Sequence, residues 1–154
     1  MCAKPKVNAD DGFNPIRILL NNNSISKKEI SDFALIDYPL FSFRYLRPNS
    51  IRDCRKPEFF FDFLMRLKEL SVSGWDKIRS SRRHNLGMES IPRDQFKPDL
   101  KILGDVLTDD IKKLHVFRAD DKNHSFAGLQ IGRIFHVFFI EAEFGDVYNH
   151  GKNK

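Results

Sequence analysis

The apolar positions of this chain change period along its length, and the changes mark its elements. From Leu40 to Leu46 they alternate, with Phe41, Phe43 and Tyr45 on one side and Leu40, Ser42, Arg44 and Leu46 on the other. That alternation predicts a strand with a buried aromatic side, ended by Pro48-Asn49. From Pro57 to Leu70 the period lengthens to that of a helix. Phe60, Phe63, Leu64 and Leu67 form one stripe, widened by Phe59, Phe61 and Leu70. Glu58, Asp62 and Arg66 repeat every four residues on the other side, a row that supports the helix modestly. Proline at the first helical position is pre-organised and gives up no needed donor. Ser71 to Ser73 is expected to break the helix, and Ser73-Gly74-Trp75-Asp76 to cap a second one running to Ser80. Two helices on a connection of three or four residues form an antiparallel hairpin.

Between Ser81 and Asp110 no period is sustained, and Gly87, Pro92, Pro98 and Gly104 interrupt the stretch. It reads as an irregular insertion with short strands near Met88–Ile91 and Lys101–Leu103. Loops of this length in compact domains are usually functional or partly structured. Period two then returns, predicting strands at Leu114–Ala119, Phe126–Ile131 and Arg133–Ala142. Turns at Asp120–Asn123 and Gly132 are short enough to make these neighbours antiparallel. Ile134–Ile140 is apolar on both sides apart from His136, as a strand in the buried middle of a sheet must be. Glu143-Phe144-Gly145-Asp146 reads as a further turn, and Val147–His150 as a last short strand. Upstream, residues 1–14 are polar and read as flexible. Ile18-Leu19-Leu20 suits a short strand, and Ser26 to Glu29 has capping-box spacing for a helix to about Ile36. The fold class is α+β: an N-terminal strand and helical hairpin packed on a C-terminal antiparallel sheet of three to four strands, in a single domain of residues 1–154.

Composition adds one feature. Fifteen Phe stand against one Trp and three Tyr, which suits a core filled with large rings. Any Phe left exposed would be a stacking platform for bases. Cys2 and Cys54 make no disulfide framework, and no CxxC or Cys/His spacing suits zinc. No metal or other cofactor is expected, and a reduced, cytoplasmic setting fits. Met1 to Asp11 has no apolar signal core. No apolar run approaches the roughly 18 residues of a membrane span. A Gly-rich phosphate loop, GxSxG and HExxH are all missing. The acidic residues Asp105, Asp109 and Asp110 lack EF-hand spacing and are expected to cap Ile111-Lys112-Lys113.

The net charge of +5 is concentrated between Arg44 and Arg83, where eleven basic residues oppose five acidic ones. A basic block is a candidate polyanion footprint, and equally a solvated helical face. Glu58, Asp62 and Glu69 offset its middle, so the contact narrows to Lys77, Arg79, Arg82 and Arg83, running into His84. A cation cluster at a helix end also suits the helix dipole.

The order strand, helix, helix, antiparallel meander resembles the RelE/ParE superfamily of bacterial toxins. The resemblance rests on Leu40–Ser80 and Leu114–His150. Within these, Val116-Phe117-Arg118, Gly132-Arg133-Ile134-Phe135-His136-Val137 and Val147-Tyr148-Asn149-His150 are similar to the family's arginine-bearing strand, glycine-arginine strand and C-terminal Tyr/His strand. The first forty residues and the 81–110 insertion are additional to the family pattern. The lysine-rich patch of RelE-type ribonucleases has no counterpart at a clear spacing.

The resemblance implies a toxin of a toxin–antitoxin pair, acting as a metal-independent endoribonuclease on RNA, free or on the ribosome, and held by a cognate antitoxin. In that chemistry a base activates the 2′-hydroxyl, cations stabilise the charge on phosphorus, and an acid protonates the leaving 5′-oxygen. Arg118 and Arg133 would clamp the phosphate in two-point fashion. His136, Tyr148 or His150 would supply acid and base. Each has a plainer reading: His136 as an interior histidine, His150 as part of a frayed end, and the two arginines as ion-pair partners of Asp120, Glu141 or Glu143. The alternative function is a non-catalytic module that docks a protein or nucleic acid, including ParE-like inhibition of an enzyme target.

Overall fold

Five extended segments hydrogen-bond into one sheet in the computed structural model, which describes residues 37–151 apart from Asn49 and Asp105. They are β1 (Leu40–Ser42), β2 (Glu89–Pro92), β3 (Lys113–Arg118), β4 (Ser125–Ile131) and β5 (Ile134–Glu141), in spatial order β1-β5-β4-β3-β2. Neighbours from β2 to β5 are antiparallel, and β1 lies parallel to β5 at the edge. Among the described residues two α-helices, α1 (Pro57–Ser73) and α2 (Trp75–Ser80), and three short 3-10 turns accompany the sheet. The class is α+β, as the pattern indicates, with a mixed sheet of five strands.

Both faces of the sheet are covered. On one, Phe59, Phe63, Leu70, Trp75 and Ile78 of the helices bury against Phe117, Phe126, Phe135, Val137 and Ile140. On the other, Ile91, Phe96, Leu100, Leu103 and Leu107 bury against Leu114, Val116, Ala127, Phe138 and Phe139, with Val147 and Tyr148 beside them. The 81–110 stretch thus supplies an edge strand and the cover of the second face. A sheet clothed on both sides needs strands apolar on both sides, which is why β5 is.

One irregularity decides where the chemistry sits. Ala127 pairs with Phe139 but Gly128 pairs with Val137, so Phe138 is an extra residue in β5. Its carbonyl accepts from Arg47 N–H at 2.8 Å. A bulge reverses the alternation beyond it. Phe135 and Val137 face the helices, whereas Phe139 faces the other side, and Glu141 follows it there. Gly128 is required opposite the bulge, because a Cβ at this position would stand 1.9 Å from the His136 carbonyl oxygen.

Several local expectations give way to tertiary contacts. The first strand stops at Ser42, since Leu46 N–H turns back to Phe43 O at 3.0 Å. Its aromatic side splits: Phe41 joins the helix-side core, Tyr45 the opposite one, and Phe43 is exposed. α1 continues through both of its serines, because Ser71 and Ser73 hydroxyls donate to the carbonyls of Leu67 and Glu69 instead of competing for the chain. Gly74 alone links α1 to α2, and the start of α2 is closed by Asp37 rather than Ser73. Asp37 accepts from Trp75 N–H through its carbonyl at 2.8 Å and from Asp76 N–H through its carboxylate at 3.2 Å. Leu100–Leu103 is a 3-10 turn, not a strand, with Asp99 accepting from Lys101 N–H. Ile111–Lys113 needs no helix cap, as Lys113 already begins β3. Val147–His150 contributes only an isolated bridge, Phe96 to Tyr148. The readings of residues 1–14, Ile18–Leu20 and Ser26–Ile36, and Cys2, lie outside the described residues. Cys54 is a free thiol. Among the described residues no helix is long and apolar enough to cross a membrane.

Candidate active site

Arg118, Ser125 and Glu141 are register partners across β3, β4 and β5. They lie in one row on the side of the sheet away from the helices, at the end the 81–110 cover leaves open. Above the row is a cavity of about 290 Å³, lined by Arg83, Glu89, Arg118, Asn123, His124, Ser125, Phe144, Tyr148 and His150 among others.

Glu141 forms the floor and is fully buried. Its carboxylate accepts from Ser125 Oγ and Val147 N–H, each at 3.2 Å, and meets His150 Nε2 at 2.6 Å. Burying a carboxylate is costly unless its acceptor sites are filled, and these three donors fill them. His150 is thereby held through Nε2, which leaves Nδ1 for exchange. Its ring lies between Phe144, at 4.1 Å between centroids, and Tyr148, at 4.0 Å.

A second carboxylate-held histidine stands at the edge of the cavity, in the loop before β4. In the β3–β4 loop, buried Asp120 accepts from the N–H groups of Lys122 and His124, at 2.9 and 3.1 Å. These bonds close an Asx-type turn. Its other oxygen meets His124 Nδ1 at 2.5 Å, so Nε2 is the nitrogen of His124 left for exchange. The His124 ring packs edge-on against Phe59 of α1 at 5.1 Å, which fixes its plane. Ala119 N–H donates to the His124 carbonyl at 2.9 Å, so His124 stands opposite Ala119 and its ring shares the helix side of the sheet with Phe59, whereas the ring of His150 is on the cavity's side.

The cations come from β3 and from the turn after α2. Arg118 donates to Asn123 Oδ1 at 2.9 Å and lies 2.9 Å from His84 Nδ1. Arg83 pairs with Glu89 at 2.9 Å and points Nε at His84 Nε2 at 3.3 Å. A neutral imidazole accepts at one nitrogen only, so both arginines cannot be satisfied by His84 at once. An anion entering the cavity would satisfy the other. Tyr148 is pushed up to about 12, first by burial and then by the charges of Glu141 and Glu89, against a hydrogen bond with Ser125. At neutral pH it keeps its proton and serves as a donor, not a base.

Arg118, Tyr148, His150 and Arg83 thus converge, joined by His84. Arg133 and His136 do not. Arg133 sits in the β4–β5 hairpin, eight residues along the chain from Glu141, roughly 25 Å at strand rise. Its carbonyl accepts from Leu40 N–H and Trp75 Nε1. His136 is on the cavity's side of the sheet but about 16 Å further along β5, 5.8 Å from the Tyr45 ring. Burial lowers its pKa, and its buried Nδ1 has no hydrogen-bond partner among the described residues. Lys77 and Arg79 stand on α2, against the opposite face. Arg79 pairs with Asp76 at 3.4 Å and lies over Trp75. Arg82 shapes the turn by accepting, through its carbonyl, from Asn85 and Gly87 N–H. Glu141, Ser125, Asp120, His124, Asn123 and Phe144 escaped the sequence reading as site residues. The legible signal was the Asx pattern of Asp120 within a predicted turn.

Among the described residues no three His, Cys, Asp or Glu side chains converge to hold a metal ion. Comparison with family models, with curated proteins and with solved structures finds no match to this chain.

Proposed function

We propose that the protein is a metal-independent endoribonuclease of the RelE/ParE-like toxin type. The observation that carries this is the grouping of carboxylate-held His150 with Tyr148 and Arg118 around one cavity of about 290 Å³. Cleavage of RNA by internal attack needs a base to take the proton of the 2′-hydroxyl, the part of His150 Nδ1, and an acid to return one to the 5′-oxygen, the part of the Tyr148 hydroxyl. The 2′-oxygen bonds to phosphorus, the bond to the 5′-oxygen breaks, and a 2′,3′-cyclic phosphate remains. Arg118, with Arg83 beside it, neutralises the charge that grows on the phosphoryl oxygens. Tyr148 and Asn123 add neutral polar groups at the wall. Helices on one face and a basic, histidine-bearing opening on the other also support the family reading.

Purified protein is expected to cleave RNA in the presence of EDTA. His150→Ala, Tyr148→Phe and Arg118→Ala should each lower the rate by about 10²-fold or more. Intact RNA with the folded wild-type protein refutes the proposal.

A second reading, a module that docks a protein, is favoured by a different feature. α1 leaves Phe61, Leu64, Met65 and Val72 exposed on the side away from the sheet. A helix apolar on nearly all sides is normally covered on all sides. In the toxin reading this stripe is where an antitoxin would lie. Phe61→Ser with Leu64→Ser should abolish capture of a co-expressed partner while leaving RNA cleavage intact. If toxicity in cells follows the stripe and not Arg118, the protein acts by docking.

A further inference from the structure

Phe144 occupies the second position of the turn Glu143-Phe144-Gly145-Asp146, at the mouth of the cavity. Gly145 follows at φ +84°, the left-handed conformation that a type II turn requires at its third position. Asp146 N–H donates back to Glu143 O at 3.3 Å. The turn is held from outside as well. Lys97 Nζ donates to the Gly145 carbonyl, Lys97 N–H to Val147 O at 2.9 Å, and Val147 N–H to Glu141.

On this held turn Phe144 is 63% exposed. One of its faces covers His150, at 4.1 Å and 27° between planes. His150 covers Tyr148 at 4.0 Å, and Tyr148 packs against Phe96 at 5.8 Å. Four rings form a column whose inner end is core and whose outer end is Phe144. Beside the column stand Arg83 and Arg118, the cations of the cavity.

We propose that Phe144 is a nucleobase platform, on which an unpaired base of single-stranded RNA stacks while Arg118 holds the adjoining phosphate. This deepens the endoribonuclease reading and rests on it for the identity of the ligand. An aromatic face beside guanidinium groups is how proteins grip single strands without reading their sequence. A base within a duplex already has both faces stacked, so the platform selects unpaired RNA. Because the turn is held, the ring pays little ordering cost on binding.

The test uses the full chain and a 2′-O-methyl RNA oligonucleotide, which cannot be cleaved, carrying one 2-aminopurine. Wild type should bind it and quench its fluorescence by stacking, and bind the matching duplex more weakly. Phe144→Ala should weaken binding by about 5- to 150-fold and remove the quenching. Phe144→Leu, which keeps an apolar cover over His150 without a stacking ring, should behave like the alanine variant, and Phe144→Trp like wild type. Arg118→Ala should weaken binding yet leave the quenching of bound RNA. Unchanged affinity and quenching in both the Ala and Leu variants would overturn the platform while leaving RNA as the ligand. Equal affinity for duplex would also overturn it. Failure of wild type to bind RNA at all would bring down the endoribonuclease reading and the platform with it.

Discussion

Replacing Glu141 by glutamine changes one buried carboxylate oxygen to an NH2 group and almost nothing of the shape. The native carboxylate accepts three hydrogen bonds, from Ser125, Val147 N–H and His150. The amide can orient two ways. With its oxygen toward Ser125 and His150, its NH2 faces Val147 N–H, and two buried donors meet. With its oxygen toward Val147, its NH2 faces His150 Nε2, which must then accept and carry its proton on Nδ1 instead. The first orientation costs about 1–3 kcal/mol for the unpaired donors. The second fixes the wrong tautomer and blocks Nδ1 from taking a proton. Both lose something, so Glu141→Gln should lower stability by about 1–3 kcal/mol in urea denaturation. It should also lower RNA cleavage by about 10²- to 10⁴-fold, the usual worth of a positioned acid or base. The rate is measured on folded protein, under conditions the denaturation curve defines. Cleavage within twofold of wild type would show that His150 does not need the proton placement Glu141 imposes, and the reasoning would fail.

Other expectations follow from the same geometry. Gly128→Ala places a Cβ against the His136 carbonyl and should cost about 3 kcal/mol or more in thermal or urea denaturation. Burial lowers the pKa of both His115 and His136. The stability they contribute is therefore present above about pH 6.5 and lost as pH falls through their folded values, as the unfolded chain binds the extra protons. Denaturation curves between pH 7 and 5 should show this slope, and His136→Gln should reduce it. Tyr148, raised to about 12, should ionise late in a 295 nm absorbance titration, and Tyr148→Phe should remove that step. Its contribution to stability persists below about pH 10 and is lost as pH climbs toward 12. Lys77→Ala with Arg79→Ala should leave RNA cleavage within about twofold, since both lie on α2, whereas Arg118→Ala should not.

Strand content was legible where the chain alternates. β3 and β4 could be placed as strands, with Arg118 near the end of the first, and the structure leaves Arg118 half-buried on the cavity's side. β5 hides its own phase: Val137-Phe138-Phe139-Ile140 is apolar throughout, so no polar residue marks the bulge at Phe138. Without the bulge Glu141 would face the helices, and this is why the floor of the cavity could not be seen in advance. α1 poses the opposite difficulty. Phe59 to Leu64 is apolar on nearly every side, so periodicity alone could not say that Phe59, Phe63 and Leu70 bury while Phe61 and Leu64 stay out. His136 interrupts an apolar run and drew notice for that reason, yet it answers to Tyr45 and β1, far from the cations. The contacts that join Arg83, His84 and Arg118 span 34 residues of chain. They depend on the turn after α2 meeting the end of β3, which no local pattern encodes.

The central claim is best tested by the ends of the RNA fragments. Wild-type protein in EDTA should leave a 2′,3′-cyclic phosphate upstream and a free 5′-hydroxyl downstream. A single 2′-deoxy substitution at the cut nucleotide should block cleavage there. Fragments bearing 5′-phosphates, or cleavage that ignores the 2′-deoxy substitution, would contradict internal attack assisted by His150 and Tyr148.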